Sequence, residues 1–403
     1  MTSTADPLVG SIDVARARVE TPGCTEVVHL NNAGAALMPA AVLERTIAHL
    51  RLESRIGGYE AAALETTGME EVYGSAARLL GCGADEIAVL DSATRAWTMA
   101  CYAIPFRPGD RILTGMAEYA SNFIAYLQLA QRHDVRVEVV PNDETGQLSV
   151  TALRDLIDDR VRLISLTHIP TNGGLVNPAA EVGAVAREAG VLYLLDACQS
   201  GGQLPLDVDE IGCDMLSITG RKYLRGPRGT GLLYVRRTVL NELTPPMLDL
   251  HSAGWISRDR YEMRPDARRF ETWENNVAAK LGLGAAIDYA LGWGLPAIRD
   301  RVYELADDLR GMLADLPGVR VHDIGAEQCG IVTFTVAGAG AQQVKDTLAH
   351  QRINVNVSRT PSTRLDMEDR GLDELVRASV HYYNTTEELL TLRDAVHRNL
   401  RAA

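Results

Sequence analysis

The chain has 403 residues, 46% of them apolar and 23% charged, proportions that exclude a disordered or membrane-embedded polymer and allow a large core or two domains. Its formal charge of −13 argues against nucleic acid and anionic membranes as partners, since both are bound through basic patches. The opening residues have no apolar core of signal-peptide length and no apolar run is long enough to span a membrane, so a cytoplasmic protein is expected.

In chain order, residues 1–28 read as a short helix and arm. The turn-rich NNAGAALMP follows, then a helical pattern from Ala40 to about Leu52, broken at Gly57-Gly58. From Asp85 to Arg237 seven short runs rich in Val, Ile and Leu alternate with helical stretches: EIAVL, DRILTG, VRVEVV, VRLISLT, VLYLLD, MLSIT and GLLYVR. Continuous apolar strands of this kind belong to a mostly parallel sheet covered by helices on both faces, which predicts an α/β fold. After Pro245 long helical patterns, Asn276–Leu291 and Leu295–Leu316, precede the strand runs VRVHD, GIVTFTV, INVNVS and VRASVHYYN, which read as a smaller α+β C-terminal domain. The expected division is an arm at 1–28, a large domain at 29–275 and a small domain at 276–403. Six scattered cysteines form no CxxC pair; most read as small core residues, with no disulfide framework and no metal site.

Ligands of open α/β sheets bind at the carboxyl ends of the strands. Asp196 ends one apolar run, Lys222 lies just past the end of the next, and Thr94 follows EIAVL, so all three can share one cleft. The 26 residues from Asp196 to Lys222 leave room for one connection and one strand, as adjacent strand ends require. A strand-end aspartate is often only a helix cap, and a lone lysine in a loop is often only a surface residue. A carboxylate and an amine converging on one cleft point instead to a ligand that needs both.

The arrangement D-x-x-Q followed by T-x-R-K and GPRGTG resembles the class V aminotransferase family of fold-type I pyridoxal-phosphate enzymes, which includes the cysteine desulfurases. The resemblance runs from about His29 to Asn384. RKYLRGPRG, together with GGYEAA at Gly57–Ala62, is most similar to the branch containing the hercynylcysteine sulfoxide lyases. It implies a large domain with a mostly parallel seven-stranded sheet, pyridoxal 5'-phosphate as cofactor, a small-molecule amino-acid substrate, and a homodimer with sites near the subunit boundary. Carried over by position, Lys222 would form the Schiff base with the cofactor aldehyde and, when freed, remove the substrate α-proton. Asp196 would pair with the pyridine nitrogen and Gln199 with the ring hydroxyl. Ala93, Thr94, Thr219 and Arg221 would hold the phosphate, the first two at a helix start. Tyr119 would stack on the ring. Asn172 would contact the ring hydroxyl or the substrate carboxylate, with Thr171 the alternative in that register. Arg377 would clamp the substrate α-carboxylate with its planar fork.

Three departures from the family pattern stand out. The region matching the loop that carries a nucleophilic cysteine in desulfurases, VSRTPSTRLDMEDRG, has no cysteine. FETWENNVAA stands where relatives present a phosphate-binding hydroxyl to the neighbouring subunit; Glu274 cannot replace that hydroxyl, which leaves Asn275 or Asn276. Arg359 and Arg364 are guanidiniums on the cysteine-free loop, available to an anionic substrate tail or simply solvated. The resemblance and the missing cysteine favour β-elimination from an S-substituted cysteine. A class V aminotransferase is the alternative, ahead of an epimerase, a desulfurase or a cofactor-binding module without catalysis.

Overall fold

The computed structural model describes residues 11–402. The large domain is built on seven strands: β1 (Ile87–Leu90), β2 (Arg111–Gly115), β3 (Arg136–Val140), β4 (Val161–Thr167), β5 (Leu192–Asp196), β6 (Met215–Thr219) and β7 (Gly231–Val235). They form one sheet in the order β1-β7-β6-β5-β4-β2-β3. All neighbours are parallel except at β7, which runs antiparallel to both β6 and β1. Every residue of β5, β6 and β7 is buried, which accounts for unbroken apolar runs where a half-exposed sheet would show alternation. The α/β architecture with a mostly parallel seven-stranded sheet is therefore the one expected.

Helices α1 (Ala40–Ile56), α2 (Thr66–Leu80), α3 (Ala93–Tyr102), α4 (Ala120–His133), α5 (Ala179–Ala189) and α6 (Val277–Trp293) belong to the same unit. Gly57 stops α1 with φ +100°, where the sequence pattern breaks. Asn276 caps α6 by accepting the amide of Ala279 at 2.9 Å. Because α6 packs against α1 and α2, packing crosses the division expected at residue 276.

Beyond α6, helix α7 (Leu295–Ala314) leads to β8 (Val319–Val321), β9 (Ile331–Val336), α8 (Ala341–His350), β10 (Asn356–Arg359), α9 (Arg364–Asp369), β11 (Glu374–Ser379) and α10 (Thr386–Ala402). The four strands form an antiparallel sheet in the order β8-β9-β11-β10. The run INVNVS does two jobs. Asn356–Arg359 enters this sheet, whereas Ile353–Asn354 pairs in parallel with Val28–His29 and ties the start of the chain to the small domain. An exposed hairpin, Ala253–Ser257 with Arg260–Met263, had no counterpart among the predicted strands, because almost none of its side chains are buried.

Arg225 links the parts that surround the site. Its buried guanidinium donates to Leu37 O at 2.8 Å, Tyr382 Oη at 2.6 Å and Thr21 Oγ1, and lies 4.5 Å from the centre of the Tyr383 ring. Its own amide donates to Lys222 O at 2.9 Å. The arm, the loop that carries Lys222 and the small domain therefore meet at one side chain.

Candidate active site

In the sheet, Asp196 at the end of β5 stands between Thr167 of β4 and Ser217 of β6. Its Oδ1 accepts the amide of Cys198 at 2.9 Å and its Oδ2 accepts Asn122 Nδ2 at 3.0 Å. Two donors on a buried carboxylate fix its direction. Beyond β6 the chain turns at Gly220 and delivers Arg221 and Lys222 into the same space, so adjacent strand ends supply the carboxylate and the amine.

A cleft with about 570 Å³ of empty space, part of it open to solvent, lies there. Asp196, Lys222, Ala93, Thr94, Tyr119, Gln199, Thr219 and Arg221 all line it. Lys222 keeps a partial opening to this space but is otherwise packed by protein, and that desolvation pushes its amine down to about 8. The amine is therefore partly neutral, and so nucleophilic, near neutral pH. Arg221 donates to Thr219 Oγ1 at 2.9 Å. Arg377, only 4% exposed, sits on β11 and donates to Thr171 Oγ1 at 2.6 Å and Thr171 O at 2.9 Å, while its Nε has no partner. Burial pushes this guanidinium down to about 10. Among the described residues no carboxylate lies within 4.0 Å of Lys222, Arg221 or Arg377. Lys222 and Arg221 line one concave space and Arg377 lies beside it, bonded to the lining residue Thr171, a composition that suits anionic groups on the ligand.

Two predicted residues, Asn172 and Arg377, do not line the cavity; Arg377 lies behind Thr171, whereas Asn172 turns away, its Oδ1 accepting Thr363 Oγ1 at 2.7 Å and its Nδ2 pointing to Asp366 Oδ2 at 3.3 Å. Thr171 faces the cavity in its place and holds Arg377. A one-residue step in an irregular segment reverses which side chain points inward, and the motif HIPTNGG contains no periodicity that could decide it. Asn172 instead docks α9 and its preceding turn, so the loop that lacks the cysteine is anchored beside the site. Arg359 of that loop bonds Gln342 and pairs with Glu374, and Arg364 pairs with Glu368, so both face away from the cavity.

The structure also adds residues that were not singled out. Ser92, Trp97, Asn122, Thr167, Ile169 and Cys198 complete the cavity wall. Cys198 is the one cysteine of the six that faces it; burial, followed by the neighbouring Asp196, holds its thiol well above the usual range. Glu271, the first glutamate of FETWENN, anchors that segment by accepting Val89 N at 2.7 Å and Tyr73 Oη at 2.8 Å. Glu274 and Asn275 then line a neighbouring cavity together with Gly58, Tyr59 and Trp273.

The residues fit pyridoxal phosphate by their own unmet needs. The first amides of α3 have no i−4 carbonyl, and β7 approaches them so closely that a Cβ at Gly231 would lie 2.4 Å from the carbonyl carbon of Ser92. This leaves a small cradle of backbone donors next to Arg221 and Thr219, suited to a phosphate. Gln199 donates to Ala33 O at 3.2 Å, and the other end of its amide is buried without a partner, as a ring hydroxyl would require. Asp196 suits a protonated ring nitrogen and Lys222 an aldehyde.

Comparison with known proteins agrees with this geometry. The family model for class-V aminotransferases matches residues 28–392. A probable cysteine desulfurase of Methanothermobacter thermautotrophicus is 31% identical over 84% of this chain and 86% of its own length. One from Xylella fastidiosa is 30% identical over 96% of this chain and 95% of its own. The solved structure of a cysteine desulfurase from Thermococcus onnurineus superposes with a TM-score of 0.90 at 25% identity, covering both chains fully. With a cleft that fits pyridoxal phosphate and a family match spanning nearly its whole length, the chain belongs to the class V aminotransferase family of pyridoxal-phosphate enzymes.

Proposed function

We propose that the protein is a C–S lyase that eliminates the sulfur substituent from an S-substituted cysteine. The observation that carries this reading is the loop beside Arg377. It is docked through Thr363 and Asp366, and residues 356–371 contain no thiol to take up sulfur. The relatives compared above are named cysteine desulfurases; in this chain Cys329 is fully buried behind Arg310, with its thiol pushed up to about 12 by burial. Sulfur then departs with its substituent and does not remain on the protein.

The side chains divide the work. Arg377, held by Thr171, presents its remaining N–H groups to the substrate carboxylate and turns the bond to be broken. Lys222 accepts the α-proton at Nζ, which the low-dielectric site keeps partly neutral. Bound pyridoxal phosphate supplies the electron sink for the breaking bonds. With the cofactor bound, Asp196 would hold the ring nitrogen, Tyr119 would cover one face, and Ala93, Thr94, Thr219 and Arg221 would hold the phosphate. The Cβ–S bond breaks, the thiolate or sulfenate leaves, and addition of water gives pyruvate and ammonia.

A homodimer accompanies this reading. Tyr59, Leu64, Leu250, Trp255, Tyr261 and Trp273 are large apolar side chains left 50 to 82% exposed on neighbouring segments, a surface suited to a second copy. The test of the reaction is the product spectrum from a panel of cysteine S-conjugates and ordinary amino acids, read by mass. Pyruvate release from the conjugates supports elimination. Conversion of the cofactor to its amine form without pyruvate replaces it with transamination.

A further inference from the structure

Behind the cofactor cleft lies a carboxylate that no site motif predicted. Glu118, 4% exposed, sits in the turn between β2 and α4. Its Oε1 accepts Asn122 Nδ2 at 2.9 Å, the amide of Tyr119 at 2.8 Å and Thr167 Oγ1; its Oε2 accepts Thr114 Oγ1 at 2.8 Å. It thereby joins the ends of β2 and β4 to the first turn of α4. The same Asn122 nitrogen reaches Asp196 Oδ2 at 3.0 Å. An amide nitrogen carries two hydrogens, so with one directed to Glu118 the other is aimed at Asp196.

We propose that Glu118 is a positioning residue of the cofactor site, which through Asn122 sets the direction of the Asp196 carboxylate and through the Tyr119 amide sets the ring-covering side chain. Without Glu118, Asn122 is free to rotate and Asp196 retains only the Cys198 amide on its other oxygen. The inference concerns the hold on the cofactor and stands whichever reaction the site performs. Burial, with the charge of Asp196 acting in the same direction, raises the affinity of Glu118 for a proton against the pull of its hydroxyl and amide donors. An amide has the same shape and reach as this carboxyl group.

The test compares Glu118→Gln and Glu118→Asp, with pyridoxal phosphate titrated into apoprotein. Glu118→Gln keeps the reach to Asn122, so its dissociation constant should stay within about twofold of the parent and the pH midpoint of the visible band of the bound cofactor should be unchanged. Glu118→Asp withdraws the oxygens by one methylene, and the dissociation constant should rise by about tenfold, the loss of one hydrogen bond to a charged group. Asn122→Ala should also weaken binding, and the double variant should lose clearly less than the product of the two single effects, because the route through Asn122 is shared. The reverse order, tolerance of Asp and loss with Gln, would show that charge and not reach matters and would overturn the proposal. So would multiplied effects in the double variant, or cofactor binding unchanged in Glu118→Asp.

Discussion

Replacing Lys222 by methionine tests the electrostatics of the site apart from its chemistry. In the folded chain burial moves this amine from its ordinary 10.5 down to about 8. Keeping it charged at pH 7 therefore costs about 3 kcal/mol, which the partial opening to the cavity reduces to about 2. Methionine has similar length and no charge, so cofactor-free Lys222→Met should be more stable than the cofactor-free parent by about that amount at pH 7. The sign follows from linkage: the unfolded chain holds the proton more tightly, so stability of the parent rises between about pH 8 and 10.5 as the unfolded amine loses its proton. The gap should thus be full below pH 8 and close towards pH 10.5. Urea unfolding of both apoproteins at pH 7 and pH 10 measures it. Equal midpoints at pH 7, or a gap that widens with pH, would refute the reasoning. Turnover should be lost at every pH, since among the described residues no other amine lines the cavity.

Three further outcomes are expected. Gly231→Ala would place a methyl 2.5 Å from Ala93 N, forcing the start of α3 away; a loss of about 2 kcal/mol and weaker cofactor binding should appear, while Gly58→Ala, which meets nothing within 4 Å, should change little. Arg377→Lys keeps the charge but not the fork, so KM for the amino acid should rise about tenfold or more with cofactor affinity unchanged, read from steady-state kinetics and titration. Arg225→Met leaves Leu37 O, Tyr382 Oη and Thr21 Oγ1 without their donor. It should cost about 3 kcal/mol in thermal or urea unfolding.

Much of the site was legible because its residues occupy positions where sequence and geometry coincide. A strand buried on both faces is a run of apolar residues, and its carboxyl end is the first polar residue after the run. That rule located Asp196 at the end of β5 and placed Lys222 just past β6. The helix start at Ala93 and Thr94 was readable for the same reason. Asn172 shows the limit: in an irregular segment no period links position to direction, and Thr171 points inward instead. The hairpin at Ala253–Met263 was hidden because exposed strands need no apolar pattern.

The sequence by itself determined the order of strands and helices, the adjacency of Asp196 and Lys222, and the family chemistry their spacing implies, because these depend on local periodicity and short connections. Only the tertiary structure decided that Glu118 reaches Asp196 through Asn122, that Arg225 ties arm, loop and small domain together, and that Thr363 and Asp366 dock the thiol-free loop on Asn172. Each of those contacts joins residues on different elements. Their partners are set by how the elements pack, and a linear pattern carries no record of which side chains that packing brings within hydrogen-bond reach.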